Sequence, residues 1–171
     1  MKKKCVFLDR DGVLNEEPRQ EYLYEPSQMI VPEGVVEGLK ELKDAGYMLI
    51  VVTNQAGIAK GLYSRQDVWT CHNHFQGLCG GLLDDLYFAP HHPDYTSNSL
   101  LRKPSSLMLE KAIAKYDIDT ENSWMVGDRT RDIHAGKRVG VKTIHLSEQP
   151  DAIADFSARS FESVAKLVLN N

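Results

Sequence analysis

Two aspartates one residue apart, Asp9 and Asp11, follow an apolar run near the start of the chain, and a glycine comes directly after them. The apolar run predicts a buried strand, which places both carboxylates at its carboxyl end, where open α/β sheets bind ligands. Such a pair can transfer a phosphoryl group, because one carboxylate attacks phosphorus while the other handles the leaving group's proton. Asp-Gly pairs also make turns, so this pair alone leaves both interpretations open.

Three further polar clusters come after strand-like runs later in the chain. Thr53, Lys103 and Asp128 stand in these clusters and offer a hydroxyl, a cation and a carboxylate. Phosphoryl transfer passes through a charge-rich transition state, so its catalysis depends on donors and charges that are held in position. Four clusters in this order therefore favour a phosphatase over a coincidence of ordinary turns.

These positions resemble the four motifs of the haloacid dehalogenase superfamily of phosphatases, and the resemblance spans nearly the whole chain. It implies that Asp9 is the nucleophile and forms an aspartyl-phosphate. It implies that Asp11 gives a proton to the leaving alkoxide and later takes one from water. Thr53 and Lys103 are expected to bind the phosphoryl oxygens, which completes the expected catalytic set.

A magnesium ion is the cofactor that this resemblance implies. Mg²⁺ prefers hard oxygen ligands in an octahedron. We assign its ligands to Asp9, the backbone carbonyl of Asp11, and Asp128. Asp132 lies four residues after Asp128 and is expected to contact Lys103 or a water on the metal rather than the metal itself.

The elements that must hold these residues alternate between strand and helix. Gly46 ends a first helix, Ser64 and Asp67 form a predicted capping box for a second, and Ser105 or Ser106 is expected to cap a third. Two further helices are predicted over 130–139 and 161–169, and a fifth strand over 141–146. This pattern predicts an α/β fold of Rossmann-like type, with a mainly parallel five-stranded sheet covered by helices on both faces.

The stretches between the motifs are too short for a second folded unit. Residues 13–32 are predicted to form a loop, and residues 55–83 are predicted to contain only a loop and one helix. We therefore expect a single phosphatase domain over 1–171, with no separate cap domain and an open site that a substrate can reach directly.

The charge and composition of the chain limit the classes of partner and compartment that we expect. The formal charge is −4, which implies no general affinity for nucleic acid, and no apolar stretch is long enough to span a bilayer. The basic start at 2–4 has no apolar segment after it, unlike a signal peptide. The three cysteines show no metal-binding spacing, which fits a reducing cytoplasm. We expect a cytoplasmic protein that acts as a monomer on a small substrate.

A finer resemblance is carried by the segments 7–15, 53–58, 90–93 and 102–104. They are similar to the capless subgroup that contains heptose bisphosphate phosphatases and histidinol phosphatases. The substrate-facing residues implied by this resemblance are Arg19, Gln20, Glu21, Tyr22, Asn54, Gln55, Ala56, Arg102 and Arg129.

Two departures from the subgroup bear on metal and substrate. Members usually hold a structural zinc with cysteines and a histidine, but only His91 of these ligands is present here. One imidazole cannot supply a tetrahedral site, so no zinc is expected. His91 and His92 are left to hold their loop by hydrogen bonds or to touch substrate. Arg129 stands where the heptose enzymes carry lysine, which keeps the charge and changes its geometry.

Four functions are weighed. A Mg²⁺-dependent phosphatase acting on a heptose bisphosphate leads, because Arg102 and Arg129 favour a substrate with a second phosphate. Histidinol phosphate is the alternative substrate, although its cationic end would prefer an acidic rim. A polynucleotide 3′-phosphatase lacks a basic tract or aromatic platform. A non-catalytic phosphate-binding module is disfavoured because Asp9, Asp11 and Asp128 are all retained.

Overall fold

A parallel sheet forms the centre of the computed structural model, which describes residues 2–18, 21–149 and 151–171. Its strands are β1 Cys5–Leu8, β2 Met48–Asn54, β3 Asp85–Ala89, β4 Trp124–Gly127, β5 Lys142–Leu146 and β6 Phe156–Ala158. Five α-helices connect or flank them, namely α1 Val35–Asp44, α2 Arg65–Leu78, α3 Leu107–Tyr116, α4 Thr130–Val139 and α5 Phe161–Asn170.

The strand order is β3-β2-β1-β4-β5-β6, and every neighbouring pair is parallel. The chain builds the sheet outward from β1 in one direction through β3, then returns to the other side of β1 with β4. Such a switch point opens a crevice outside the carboxyl ends of the two central strands. β1 and β4 therefore deliver the residues that follow them, Asp9 and Asp128, to one place.

Both faces of the sheet are covered, which explains why the strands are almost continuously apolar. Along β1, Val6 and Leu8 face a core shared with α1, α2 and α5, whereas Cys5 and Phe7 face a second core shared with α3 and α4. All four side chains are completely buried. The central strand is thus fixed from both sides before it ends at the site.

The predicted α/β architecture is confirmed, and two local details differ from the sequence analysis. A sixth strand, β6, pairs with β5. It has only three residues and its middle residue is exposed, so it lacks the apolar run that revealed the other strands. Ser64 and Asp67 form the predicted capping box. Ser106 occupies the cap position of α3, but its hydroxyl donates to Glu110 rather than accepting from the backbone.

No separate cap domain is found in the described residues. The loop after β1 contains one turn of 3-10 helix, Pro26–Gln28, and the connection from β2 to β3 contains α2 alone. None of the helices in the described ranges combines the length and the apolar character that a membrane crossing needs. The crevice at the strand ends is bordered by loops and by the first turn of α4.

Candidate active site

The predicted catalytic side chains gather at the carboxyl ends of the central strands, and we call Asp9, Asp11, Thr53, Lys103, Asp128 and Asp132 the site floor. Its centre is the ammonium of Lys103. That Nζ lies 3.0 Å from Asp9 Oδ2 and 2.7 Å from Asp132 Oδ1. Asp9, Lys103 and Asp132 are 3%, 1% and 0% exposed, so these charges are withdrawn from water and compensate one another.

Hydrogen bonds to the main chain hold Asp9 and Lys103 in position. The Asp9 N–H donates to the carbonyl of Val126 on β4 at 3.0 Å, which locks the end of β1 to its neighbour. Asn54 holds Lys103 from β2, because its amide nitrogen donates to the Lys103 carbonyl and its oxygen accepts from the Lys103 N–H, both at 3.0 Å. Lys103 Nζ also donates to the Val52 carbonyl at 2.7 Å. A loop residue is thus held as firmly as a strand residue.

Burial and mutual charge shift the pKa values of the floor. Burial raises the pKa of Asp9; the attraction of Lys103 opposes this shift, and the repulsion of Asp132 adds to it. Burial would lower the pKa of Lys103, but the two carboxylates outweigh it and the pKa is raised. Burial, together with the charges of Asp9 and Asp132, raises the pKa of Asp128 to about 7. The floor holds more negative charge than one lysine neutralises.

The carboxylates converge as cation ligands do. One oxygen each of Asp9, Asp128 and Asp132 lies within 4.8 Å of the others. Asp128 Oδ1 is buried and has no hydrogen-bond donor among the described residues. Gly12 makes room for this carboxylate, since a Cβ there would lie 2.4 Å from Asp128 Oδ2. Buried, unpartnered carboxylate oxygens beside excess negative charge suit a hard divalent cation such as Mg²⁺.

Asp11 is held by residues that the sequence analysis did not single out. The guanidinium of Arg10 donates to both of its oxygens, at 3.0 and 3.1 Å, and the amide of Asn15 donates at 3.0 Å. Arg10 is buried and also donates to the Leu23 carbonyl at 2.9 Å. An arginine between two aspartates at a buried strand end was the available signal. Together these donors fix the orientation of the Asp11 carboxylate beside Asp9.

Gln55 lies behind the floor instead of facing the cavity. It is 1% exposed, and its amide nitrogen donates to Thr53 Oγ1 at 3.0 Å and to Asp11 Oδ2 at 3.3 Å. The Tyr63 hydroxyl donates to the Gln55 oxygen at 2.6 Å. The expected substrate residue therefore orients Thr53 and Asp11 in this structure.

His145 is a second residue that the sequence analysis missed. Its Nδ1 accepts from the N–H of Asp151 at 3.0 Å, which leaves Nε2 to donate to the Asp128 carbonyl, also at 3.0 Å. Such contacts orient a ligand-bearing loop from outside. The available signal was a histidine within the apolar strand β5.

A cavity of about 530 Å³ adjoins the floor, since it is lined by Asn54, which holds Lys103, and by Arg129, which lies beside Asp128. We call its wall the rim, formed by Glu17, Glu21, Tyr22, Asn54, Ala56, Lys60, His92, Arg102, Arg129, Thr130 and Arg131. Six of the predicted substrate residues belong to it. The predicted substrate residues Arg19 and Gln20 lie outside the described residues.

The rim charges are only partly paired. Arg129 contacts Glu17 and also lies 3.2 Å from Asp128 Oδ2. Lys60 pairs with Glu21 and lies over the ring of Tyr22, 5.1 Å from its centre. These pairs tie the loop after β1 to the loops that follow β2 and β4.

The loop that carries the two histidines is held by its own hydrogen bonds. His92 Nδ1 accepts from the N–H of Asp94 at 3.2 Å, and the His92 carbonyl accepts from the N–H of Thr96 at 2.9 Å. The ring of Tyr95 lies edge-on, 5.3 Å from that of His92. His92 thus both shapes its loop and faces the cavity, while the expected absence of zinc stays a prediction.

Comparisons with known proteins place this geometry in a family. The HAD-hydrolase-like family model matches residues 100–158. A D-glycero-alpha-D-manno-heptose-1,7-bisphosphate 7-phosphatase of Photorhabdus laumondii is 38% identical over 96% of this chain and 96% of its own length. The beta-anomer 7-phosphatase of Haemophilus ducreyi is 39% identical over 100% of this chain and 95% of its own length.

A solved structure agrees with the fold. The D,D-heptose 1,7-bisphosphate phosphatase of B. bronchiseptica, complexed with magnesium and phosphate, matches with a TM-score of 0.85 at 24% identity. The match covers 98% of both chains. The predicted resemblance is confirmed: the chain belongs to the haloacid dehalogenase-like phosphatases, in the family that includes the heptose 1,7-bisphosphate 7-phosphatases, and is a phosphoric monoester hydrolase.

Proposed function

We propose that the protein is a Mg²⁺-dependent phosphatase that removes the 7-phosphate of D-glycero-D-manno-heptose 1,7-bisphosphate. The observation that carries the proposal is the site floor, where Lys103 bridges Asp9 and Asp132 beside Asp128, whose buried Oδ1 has no hydrogen-bond partner among the described residues. Its support is the family, because relatives of 38% and 39% identity carry this activity in their names.

In the first step Asp9 attacks the phosphorus of the 7-phosphate. A bond forms between its carboxylate oxygen and phosphorus, and the ester bond to the sugar breaks. Asp11 gives its proton to the sugar oxygen that leaves. Arg10, Asn15 and Gln55 support this role because they hold the Asp11 carboxylate beside Asp9.

In the second step water attacks the phosphorus of the aspartyl-phosphate on Asp9. Asp11 takes the proton of that water, inorganic phosphate leaves, and both carboxyl groups return to their starting states. Lys103 donates to the phosphoryl oxygens and offsets the charge of Asp9. Thr53, oriented by Gln55, supplies a hydroxyl to the same oxygens.

The residues that would hold Mg²⁺ are Asp9, Asp128 and the backbone carbonyl of Asp11. When bound, the ion neutralises negative charge shared by the floor and the phosphoryl group. Asp132 is assigned to Lys103, which lies 2.7 Å away. The raised pKa of Asp128 supports a cation at this place, because its charge is poorly compensated by protein alone.

The sugar and its distal group would occupy the cavity bounded by the rim. With no cap domain, substrate reaches the floor directly from solvent. We place Glu21, Tyr22, Asn54, Ala56, Arg102 and Arg129 against the sugar, together with Arg19 and Gln20 from the predicted set. Residues 1–171 would act as one domain and as a monomer in the cytoplasm, without nucleic-acid or membrane partners.

The experiment is a steady-state comparison of three substrates with Mg²⁺ present. We would measure kcat/KM for the alpha and beta anomers of heptose 1,7-bisphosphate and for histidinol phosphate, with an EDTA-treated sample as control. We expect a strong preference for one bisphosphate anomer and no turnover after chelation.

A preference for histidinol phosphate would overturn the substrate while leaving the roles of the floor intact. Turnover that persists after complete removal of divalent cations would overturn the metal assignment. Because the two relatives are named for opposite anomers, the same measurement decides which anomer this enzyme uses.

A further inference from the structure

The rim carries more positive than negative charge. Its cationic side chains are Lys60, Arg102, Arg129 and Arg131, and its carboxylates are Glu17 and Glu21. The four cations and two carboxylates leave an excess of two positive charges over the cavity. A phosphate monoester carries about −1.5 to −2 at neutral pH, so this excess matches one such group.

Two arginines, Arg102 and Arg131, carry the excess positive charge of the rim. Lys60 is paired with Glu21 and Arg129 with Glu17, so these pairs neutralise themselves. Among the described residues, neither Arg102 nor Arg131 has a carboxylate within ion-pair distance.

Arg102 also has an unused donor. Its Nη1 is buried and has no hydrogen-bond partner among the described residues. Burial lowers the pKa of Arg102, and the neighbouring charge of Arg131 lowers it further. Two guanidinium groups that repel each other across a cavity, one with a shielded and unpartnered donor, form a site that an anion would stabilise.

We propose that Arg131 acts with Arg102 as the pair that binds the anionic group at the far end of the substrate, and that Arg131 is a specificity-determining residue. This inference rests on the proposed function, in which that group is the second phosphate of a sugar bisphosphate. Arg129, whose charge is committed to Glu17 and Asp128, has a lesser part in this recognition.

The pair also excludes one class of substrate. A substrate whose far end is cationic, such as an amine with an imidazole, would place its charge against two unpaired guanidinium groups. Arg131 therefore favours bisphosphates and disfavours amines through the same charge. Arg131 is exposed in the first turn of α4, so its side chain can be exchanged without disturbing the core.

The experiment compares heptose 1,7-bisphosphate with heptose 7-phosphate, which lacks the far phosphate. We would measure kcat and KM for the wild type, Arg131→Gln and Arg131→Glu. Arg138→Gln is the matched control, because Arg138 is an exposed arginine on the same helix and does not line the cavity.

We expect Arg131→Gln to lower kcat/KM for the bisphosphate about tenfold, mainly through KM, which is the low end for a charged hydrogen bond. Arg131→Glu should lower it further. The ratio of kcat/KM for the bisphosphate to kcat/KM for the 7-phosphate should fall in both variants, and Arg138→Gln should keep the wild-type ratio.

Equal losses on both substrates, or none on either, would overturn the role of Arg131 while leaving the proposed function standing. A wild type that hydrolyses the 7-phosphate as well as the bisphosphate would overturn the inference too. A wild type that hydrolyses neither heptose phosphate, but does hydrolyse other phosphomonoesters, would overturn the proposed substrate itself.

Discussion

The site floor and the rim differ in how they handle charge. On the floor, Lys103 lies within 3.0 Å of two carboxylates, and all three side chains are almost completely buried. On the rim, Arg129 and Glu17 pair across two loops with side chains that are 47% and 62% exposed. Asp9, Thr53 and Asp128 of the floor lie at strand ends, whereas most of the rim lies on loops and on the first turn of α4. The difference indicates that chemistry is fixed by the sheet, while substrate choice is left to residues that can be exchanged.

Loss of an ion pair should lower the free energy of unfolding much more on the floor than on the rim. Removing one partner from a buried ion pair leaves an uncompensated charge and costs about 3–5 kcal/mol. Exposed ion pairs contribute about 0–1 kcal/mol, because water and salt screen them. Substitutions on the floor should therefore affect both folding and catalysis, and substitutions on the rim should affect selectivity alone.

The largest expected effect is that of Asp9→Asn. An amide cannot attack phosphorus, so kcat should fall by at least about a thousandfold. The chain should still fold, at a lower melting temperature, because Lys103 loses one of its two carboxylate partners and keeps Asp132. Phosphate release and a thermal melt measure the two effects.

The control for this substitution is Asp44→Asn, an exposed carboxylate at the end of α1. It should leave both kcat and the melting temperature unchanged. Undiminished turnover by the Asp9→Asn variant would contradict the assignment of Asp9 as the nucleophile.

Lys103→Met should give the next largest effect. It removes the donor to the phosphoryl oxygens and leaves Asp9 and Asp132 facing each other without a cation. We expect kcat to fall about a hundredfold or more. The free energy of unfolding should fall by about 3–5 kcal/mol. Denaturant unfolding without metal measures the second quantity.

Adding Asp132→Asn to Lys103→Met should restore part of the stability but none of the activity. If the Lys103→Met variant were as stable as the wild type, the claim that floor ion pairs contribute more to stability than rim ion pairs would be contradicted.

The binding of Mg²⁺ should depend on pH through Asp128. Its pKa is about 7 without metal, and the cation competes with that proton. Above pH 7 the affinity should be nearly constant; below it the affinity should fall by up to about tenfold per pH unit. Calorimetric titration at pH 6 and pH 8 tests this dependence, and equal affinities would contradict it.

The same pKa sets the sign of a stability effect. Because the folded pKa of Asp128 is above its ordinary value, the metal-free folded state binds more protons than the unfolded chain as pH approaches 7. Asp128 should thus make the metal-free fold less stable as pH rises through this range, and saturating Mg²⁺ should remove the trend.

The smallest expected effect is that of Arg129→Gln. The pair with Glu17 is exposed, so the free energy of unfolding should change by less than about 1 kcal/mol. Denaturant unfolding checks this value, with Glu17→Gln as the matched partner variant. A loss as large as that of Lys103→Met would show that rim and floor are coupled.

The floor could be predicted from the sequence because strand ends leave a clear pattern. Asp9 and Asp128 each follow an apolar run, and parallel strands bring such ends together. The supporting residues were less visible. Arg10 and His145 act through contacts with the Leu23 carbonyl and the Asp151 N–H, and only the folded chain reveals these.

The rim was harder to predict because its behaviour depends on which charges pair. From the sequence, Arg129 looked like the partner of Arg102. In the structure, Glu17 engages Arg129, whereas Arg131 lines the cavity without a carboxylate partner among the described residues. Charge type is visible in a sequence, but loop geometry decides which charge is available to a ligand.

The most direct test of catalysis by the floor is to trap the phosphoryl group on the protein. Asp11→Asn keeps the nucleophile but lacks both the acid for the leaving sugar oxygen and the base that activates water. With an aryl phosphate, whose leaving group needs no proton, the substitution slows mainly the second step, so the aspartyl-phosphate should accumulate. An acid-quenched single turnover with that aryl phosphate, followed by peptide mass spectrometry, locates the group. We expect it on the peptide that contains Asp9. A phosphoryl group on another residue, or phosphate release by Asp11→Asn at the wild-type rate with no adduct, would contradict the assignment of Asp9 as nucleophile.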